Sequence, residues 1–229
     1  MQIKSPDCTV CQFRSMMFDS LSRDELGRLN TCKSQHLFGK GELIVREGSA
    51  IQAIIYLHKG LIKLHKTTSD GRSQIISIAR PFDFVGLLSV FSNDLYRYSI
   101  TAIEDSSVCF INKDCIHHEI LNNGKFALDI IRRMSQATDD VLQAKFSLSM
   151  KHLRGRIAHI LLDFAENIYN TLAFDLPVSR KEISELIDMR PENVIRILSE
   201  FRKDGIIRIN GPEIVILKPE LLRQISDAG

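Results

Sequence analysis

Glu192 and Arg196 lie one helical turn apart in the stretch VSRKEISELIDMRPENVIRILSEF, residues 178–201. At about 100° per residue, Glu192, Arg196, Ser199 and Lys203 share one polar face, flanked by Asn193 and Ile195. A guanidinium donates twice to guanine, and a carboxylate accepts from the cytosine amino group, so the pair could read neighbouring base pairs in a major groove. The plainer alternative is a solvated face carrying one Glu192–Arg196 ion pair at i,i+4. Two other sets of residues could do chemistry. Cys8 and Cys11 form a C-x-x-C pair, which is half of a metal or cluster site or a redox couple. His36, His58, His65, His117 and His118 fall in one segment where a haem or metal could be held, although isolated histidines on strands are mostly structural.

The elements that must position the first set are legible. Ser179 with Glu182 makes a capping box, and Ile183, Leu186 and Ile187 form an apolar stripe. The stripe stops at Asp188-Met189-Arg190, and Pro191 suits the first turn of a new helix. Val194, Ile197, Leu198 and Phe201 form a second stripe, Gly205 ends that helix, and 206–209 and 214–217 read as two strands around an Asn210-Gly211-Pro212 turn. Helix, turn, helix, hairpin is a winged helix-turn-helix. In it Ser179, Arg180 and Lys181 sit at the start of the first helix, where hydroxyl, backbone N–H and cations can hold phosphates.

Upstream, short apolar runs (43–45, 53–57, 61–64, 74–78, 98–101 and 107–111) are separated by Gly and Asp-Gly turns, which argues an antiparallel barrel or sandwich. The helical period returns after Asn122-Asn123-Gly124. Phe126, Ile130 or Ile131, Met134, Thr138, Val141 or Leu142 and Lys145 trace a near-heptad seam, read here as a dimerisation helix with a hinge at 147–150. The fold class is therefore α+β: an N-terminal antiparallel β-roll or jelly-roll barrel (1–124), a long dimerisation helix and hinge (125–150), and a C-terminal winged helix-turn-helix domain (151–229).

Composition sets bounds without choosing a function. The 229 residues are 44% hydrophobic and 25% charged, an ordinary globular balance. No apolar run is long enough to cross a membrane and no signal peptide is evident, so no membrane partner and a cytoplasmic location are expected. Five cysteines, an odd number, argue against a disulfide framework. Net charge is only +2, and residues 151–229 hold twelve Lys/Arg against twelve Asp/Glu, so any basic patch must come from the direction in which charges point.

Barrel, long helix and winged helix together resemble the Crp/Fnr superfamily of bacterial transcription regulators. The matching residues are Gly41-Glu42, Glu47-Gly48, His58-Lys59-Gly60, Asp70-Gly71-Arg72 and Pro81-Phe82-Asp83-Phe84-Val85-Gly86, then Arg156-Ile157-Ala158 and Arg190-Pro191-Glu192-Asn193-Val194-Ile195-Arg196. The resemblance implies a cyclic-nucleotide-binding-like domain, a homodimer on near-palindromic double-stranded DNA, contact with RNA polymerase and control by a small-molecule effector. It places Glu192 and Arg196 on the base-reading pair, Ser179 and Arg180 on phosphates, and Asn210 at the wing tip.

Two departures matter. Members that bind cyclic AMP hold the ribose through a Gly-Glu pair, but here Gly86 is followed by Leu87, and the nearby Arg97 is flanked by Tyr96 and Tyr98. Cyclic AMP is therefore not expected, although Gly86, Leu87, Arg97 and Tyr98 still mark the effector pocket. Oxygen-sensing members hold an iron–sulfur cluster with four cysteines. Cys8 and Cys11 match two of these in spacing, Cys109 matches the barrel one, and Met17 occupies the remaining position. Cys32, Cys109 and Cys115 are read as small buried residues, and a cluster, metal or redox sensor on Cys8, Cys11 and Cys109 stands as an alternative. Two other readings compete: a protein-binding module without DNA specificity, and a cupin-like enzyme using His58, His65 and Glu47. The enzyme is not expected, because a close His-x-His pair is missing.

Overall fold

The computed structural model describes residues 1–3, 7–9, 11, 16–68, 71–92 and 94–229, leaving aside the side chains of residues 2, 3, 16, 17 and 88. Val10 of the C-x-x-C segment and Asp70 of the Asp-Gly turn, as well as the Met17 side chain, lie outside what is described. The chain divides into two compact units. Unit 1 is Met1–Arg72 with Ile76–Val141, and unit 2 is Ser73–Ile75 with Leu142–Gly229.

Unit 1 begins with β1 (Gln2–Ile3), a 3-10 turn (Met16–Ser20) and α1 (Arg23–Thr31), whose N-cap Ser22 closes a capping box with Glu25. The strands follow: β2 (Lys33–Phe38), β3 (Leu43–Val45), β4 (Ala53–Lys59), β5 (Ile62–Thr67), β6 (Ser73–Ala79) and β7 (Phe84–Val85). A short α2 (Leu87–Val90) precedes β8 (Ser99–Ala102) and β9 (Ser106–Asn112). Two sheets result, in the orders β1-β2-β9-β4-β7 and β3-β8-β5-β6, with antiparallel pairing. Between them the apolar residues of alternating strands close a core in which Tyr56 and Phe84 lie 4.7 Å apart, ring to ring, and Phe18 meets Phe84 at 5.6 Å. This is the expected antiparallel roll. Gly60 shows how tightly it closes: φ is +87°, and a Cβ there would stand 2.4 Å from Ser106 Oγ, so only glycine fits.

Two helices follow, α3 (Lys113–Asn122) and the 27-residue α4 (Gly124–Met150), about 40 Å long at 1.5 Å per residue. Asn123 joins them. Its Oδ1 accepts from Lys125 N and Phe126 N, both at 3.1 Å, and its Nδ2 donates to Ser20 O and to Glu25 Oε1 at 3.1 and 3.0 Å. Phe126 and Ile130 are buried, whereas Leu128, Ile131, Leu142, Phe146 and Met150 are exposed along the same helix. Residues 147–150, expected as a hinge, continue α4, and the helix breaks at Lys151–His152.

Unit 2 contains α5 (Leu153–Leu162), which runs on into a π turn (Asp163–Ile168), β10 (Ala173–Asp175), α6 (Arg180–Leu186), α7 (Pro191–Lys203), β11 (Ile207–Asn210), β12 (Glu213–Ile216) and α8 (Pro219–Asp227). The hairpin β11–β12 pairs Ile207 with Ile216 and Asn210 with Glu213, and β10 adds to its other edge. Helix α8 packs on α5 so closely that a Cβ on Gly155 would come within 3.2 Å of Ile225 O, tighter than most real contacts.

Candidate nucleic-acid interface

Ser179 caps α6: its Oγ accepts from Glu182 N at 3.2 Å, and its own N–H donates to Glu182 Oε2 at 2.8 Å. The cap fixes where the helix starts, and the exposed Lys181 and half-buried Arg180 stand in its first turn. Burial lowers the Arg180 pKa below the ordinary guanidinium value, though not enough to discharge it. Residue Asp188, at φ +52°, makes the sharp corner after α6, and Arg156 fastens it by donating from one terminal nitrogen to Ile187 O (3.1 Å) and Asp188 O (3.3 Å). Pro191 then opens α7 at N1.

Val194, Ile197, Leu198 and Phe201 are fully buried, which fixes the rotation of α7. The other face therefore points outward. Glu192, Ile195, Arg196 and Lys203 are exposed, and Asn193 and Ser199 are half-buried. Arg190 just before the helix and Asn210 at the tip of the β11–β12 hairpin are exposed as well. The Glu192–Arg196 ion pair of the plainer alternative is not formed. Arg196 turns the other way and donates to Glu200 Oε1 at 2.5 Å, while Glu200 Oε2 accepts from Arg154 at 2.6 Å. Arg154 also reaches Asp204 at 3.2 Å and stacks over Phe201, 4.9 Å from the ring centre. Sequence reasoning missed Arg154 and Glu200, since 46 residues separate them and no local pattern joins them.

In unit 1, a cavity of about 180 Å³ is lined by Gly86, Leu87 and Tyr98 from the roll and by Arg133, Ala137 and Val141 from α4. Gly86 sits at φ +77° before α2, and Tyr98 is held by a hydrogen bond from Ser89 Oγ at 3.0 Å. Burial pushes the Tyr98 hydroxyl pKa up. Arg133 is paired with Asp83 at 2.8 Å. One expectation fails here: Arg97 is exposed and does not line the cavity, because Tyr96 and Tyr98 on either side turn inward. With Leu87 buried at the cavity wall and Arg97 outside it, the residues present do not fit a cyclic nucleotide.

The cysteines divide differently from the expectation. Cys32, at the end of α1, and Cys115, in the first turn of α3, are half-buried and joined by a disulfide. Sequence counting could not find this, because only the folded β2–β9 pairing brings positions 83 residues apart within reach. Cys8, Cys11 and Cys109 line one small apolar cavity together with His58. Burial raises the Cys8 thiol and pushes Cys109 up to about 12, and among the described residues no group of three or more His, Cys, Asp or Glu is placed to hold a metal. His58 is buried, which lowers its pKa to about 4, and lies 3.2 Å from Gln35 Nε2. His65 bonds Thr101 at 2.9 Å and Glu47 pairs with Lys66 at 3.0 Å, so the three cupin candidates serve separate contacts.

The family profile described as the cyclic nucleotide-binding domain matches residues 35–123, and the Crp-like helix-turn-helix domain profile matches residues 155–225. A probable transcriptional activator of Rhizobium leguminosarum bv. viciae is 29% identical over 226 residues, 96% of this chain and 93% of that protein. The transcriptional activator protein FnrA of Stutzerimonas stutzeri is 28% identical over 182 residues, 78% of this chain and 74% of its own. Among solved structures, FixK2 of Bradyrhizobium japonicum superposes with a TM-score of 0.76 at 24% identity, covering 84% of this chain and 96% of its own, which shows a shared fold.

Proposed function

This chain belongs to the Crp/Fnr superfamily and is a transcription regulator with a helix-turn-helix DNA-binding domain, and on that premise we propose that it works as a homodimer in the cytoplasm and reads a near-palindromic site. Two copies pair through α4, whose exposed Ile131, Leu142, Phe146 and Met150 would otherwise face water. Each α7 enters a major groove. There Glu192 and Arg196 address base edges with Asn193, Ser199 and Lys203 around them, while Ser179, Arg180, Lys181, Arg190 and Asn210 meet the backbone. The observation that carries this reading is the outward polar face of α7, fixed in rotation by four buried residues behind it.

A small-molecule effector, not cyclic AMP, occupies the cavity walled by α4, and RNA polymerase is the partner on DNA. Because Arg133, Ala137 and Val141 belong to α4, a ligand favouring one α4 position over another shifts the dimer between two arrangements by that difference in affinity. The chain carries no enzymatic activity in this reading.

Footprinting of the full chain on a site selected from random duplexes tests the proposal. The expected result is two symmetric protected half-sites with centres about 34 Å apart, one turn of DNA. Absence of any sequence preference at moderate salt refutes it. A flat dependence of binding on salt would instead favour a protein partner, as the balanced charge of residues 151–229 allows.

A further inference from the structure

The Cys32–Cys115 bond stands at one end of a ladder between two helices. Three ties join α1 to α3 and to the residue that follows it: Cys32 with Cys115, Arg28 with Glu119, and Glu25 with Asn123. Successive ties lie three or four residues apart on each side, so each rung is one helical turn from the next. The last rung also caps α4, because Asn123 Oδ1 accepts from Lys125 N and Phe126 N. Arg28–Glu119 and Glu25–Asn123 are non-covalent and remain when the first rung is cut. Opening the disulfide therefore loosens the ladder without dismantling it.

Both sulfurs are within reach of a reagent. Cys32 and Cys115 are half-buried, and both line a cleft of about 810 Å³ together with Tyr96, Phe110 and Arg46. Among the described residues no Asp or Glu lines this cleft. The species that attacks a disulfide is a thiolate, and the group it displaces leaves as one. A wall that carries an arginine and no carboxylate favours both.

We infer that Cys32 and Cys115 form a reversible thiol–disulfide switch, which takes two electrons from a dithiol and thereby sets how firmly the start of α4 is held. One thiolate of the dithiol attacks a protein sulfur, the Cys32–Cys115 bond breaks, and the released cysteine thiolate takes up a proton. The second thiol of the reagent then displaces the other cysteine from the mixed disulfide. Two thiols are left on the protein and one disulfide on the reagent. Oxidation is the same exchange run backwards with a disulfide reagent. Resting on the dimeric DNA-reading function above, the oxidised chain has all three rungs closed, starts α4 in its ordered form and binds its duplex more tightly.

The test uses the full chain, reduced with dithiothreitol and reoxidised with its cyclic disulfide. Alkylation followed by mass spectrometry should show Cys32 and Cys115 opening and closing reversibly while circular dichroism reports a folded chain. On reduction the amides of Lys125 and Phe126 should lose protection from hydrogen exchange, and affinity for the selected duplex should fall about five-fold or more. Cys32→Ser with Cys115→Ser should abolish this response to dithiothreitol, whereas Cys8→Ser with Cys11→Ser should retain it. The exchange measurement needs no substitution, so it decides even where a cysteine variant does not fold. A bond that stays closed under excess dithiothreitol in the folded chain overturns the inference, as does opening that leaves Lys125 and Phe126 protected. So does a duplex affinity that is the same in both redox states, or that still responds in the Cys32→Ser, Cys115→Ser chain. A chain that selects no sequence defeats the DNA reading instead, and amide exchange then decides the switch alone.

Discussion

The two units hold their polar groups in opposite ways. In unit 1 the decisive pairs join residues far apart in the chain: Arg28 meets the buried Glu119 at 2.8 and 2.9 Å across 91 residues, and Cys32 is bonded to Cys115 across 83. Gln35 bridges His58 and Ser107 in the same manner, and Asp83 reaches Arg133. In unit 2 the groups of the candidate DNA-reading surface are held within one turn, Ser179 by Glu182 and Arg196 by Glu200, with Arg154 and Arg156 as the longer ties. A β-roll is made of non-local pairings, so its polar groups must be matched across the fold. A recognition helix needs only correct rotation and a clean start. Unit 1 should therefore respond to perturbation mainly by losing stability, and unit 2 mainly by losing DNA binding with little change in stability.

The largest effect expected is on the disulfide. Closing an 83-residue loop constrains the unfolded chain by about 4–5 kcal/mol in the loop-entropy account. Cys32→Ser with Cys115→Ser, or a dithiol reductant, should lower the unit 1 transition in calorimetry and leave that of unit 2 in place. A single transition moving as a whole would break the comparison.

Next comes pH. The folded-state pKa of His58 is lowered to about 4 by burial, from an ordinary value near 6.5. The unfolded chain then binds the extra proton first, so the contribution is complete above about pH 6.5 and is lost as pH falls toward 4. The difference of about 2.5 pH units corresponds to about 3 kcal/mol. Glu119 extends the loss to lower pH, since hydrogen bonding to Arg28 depresses its pKa and its stabilisation disappears as that carboxylate is protonated. Urea midpoints of unit 1 at pH 7.5 and about pH 5 should show the loss, and His58→Gln should flatten it.

Third, Arg196→Ala should weaken specific DNA binding by about 1–3 kcal/mol and relax one base position, with Tm unchanged. Arg180→Ala should weaken binding to all sequences alike and reduce the salt slope by about 1. Band-shift assays on selected and scrambled duplexes separate the two. The smallest effect belongs to Ser179→Ala, which removes the α6 cap at a cost of about 1 kcal/mol, measured as a small fall in the unit 2 transition.

Much of the architecture was legible in the chain because it is written locally. Short apolar runs broken by Gly and Asp-Gly located most of the strands of the roll. The capping box at Ser179 and the proline at 191 located both helices of the reading domain. What escaped was either short or non-local. Helix α3 has mixed polarity and was hidden behind Cys115, and the first half of β2 carries Lys33, Ser34 and Gln35, which do not look like a strand. Arg97 was misplaced because it lies in the irregular segment just before β8, where Tyr96 and Tyr98 on either side are held inward and leave it exposed. The partners of Arg196 escaped because i+4 toward Glu200 and i−4 toward Glu192 look alike on a helical wheel. Arg154 on another helix decides between them.

Asn123 has a consequence for how a signal could travel. The Asn123 backbone N–H closes α3 on Glu119 O, while its side-chain amide caps α4 and ties it to Ser20 of the 3-10 turn and Glu25 of α1. A displacement of α1 would therefore pull on the group that caps the first turn of α4. Asn123→Asp would keep the acceptor that starts α4 and cut the tether, uncoupling a mechanical input at the N-terminus from a chemical one in the roll.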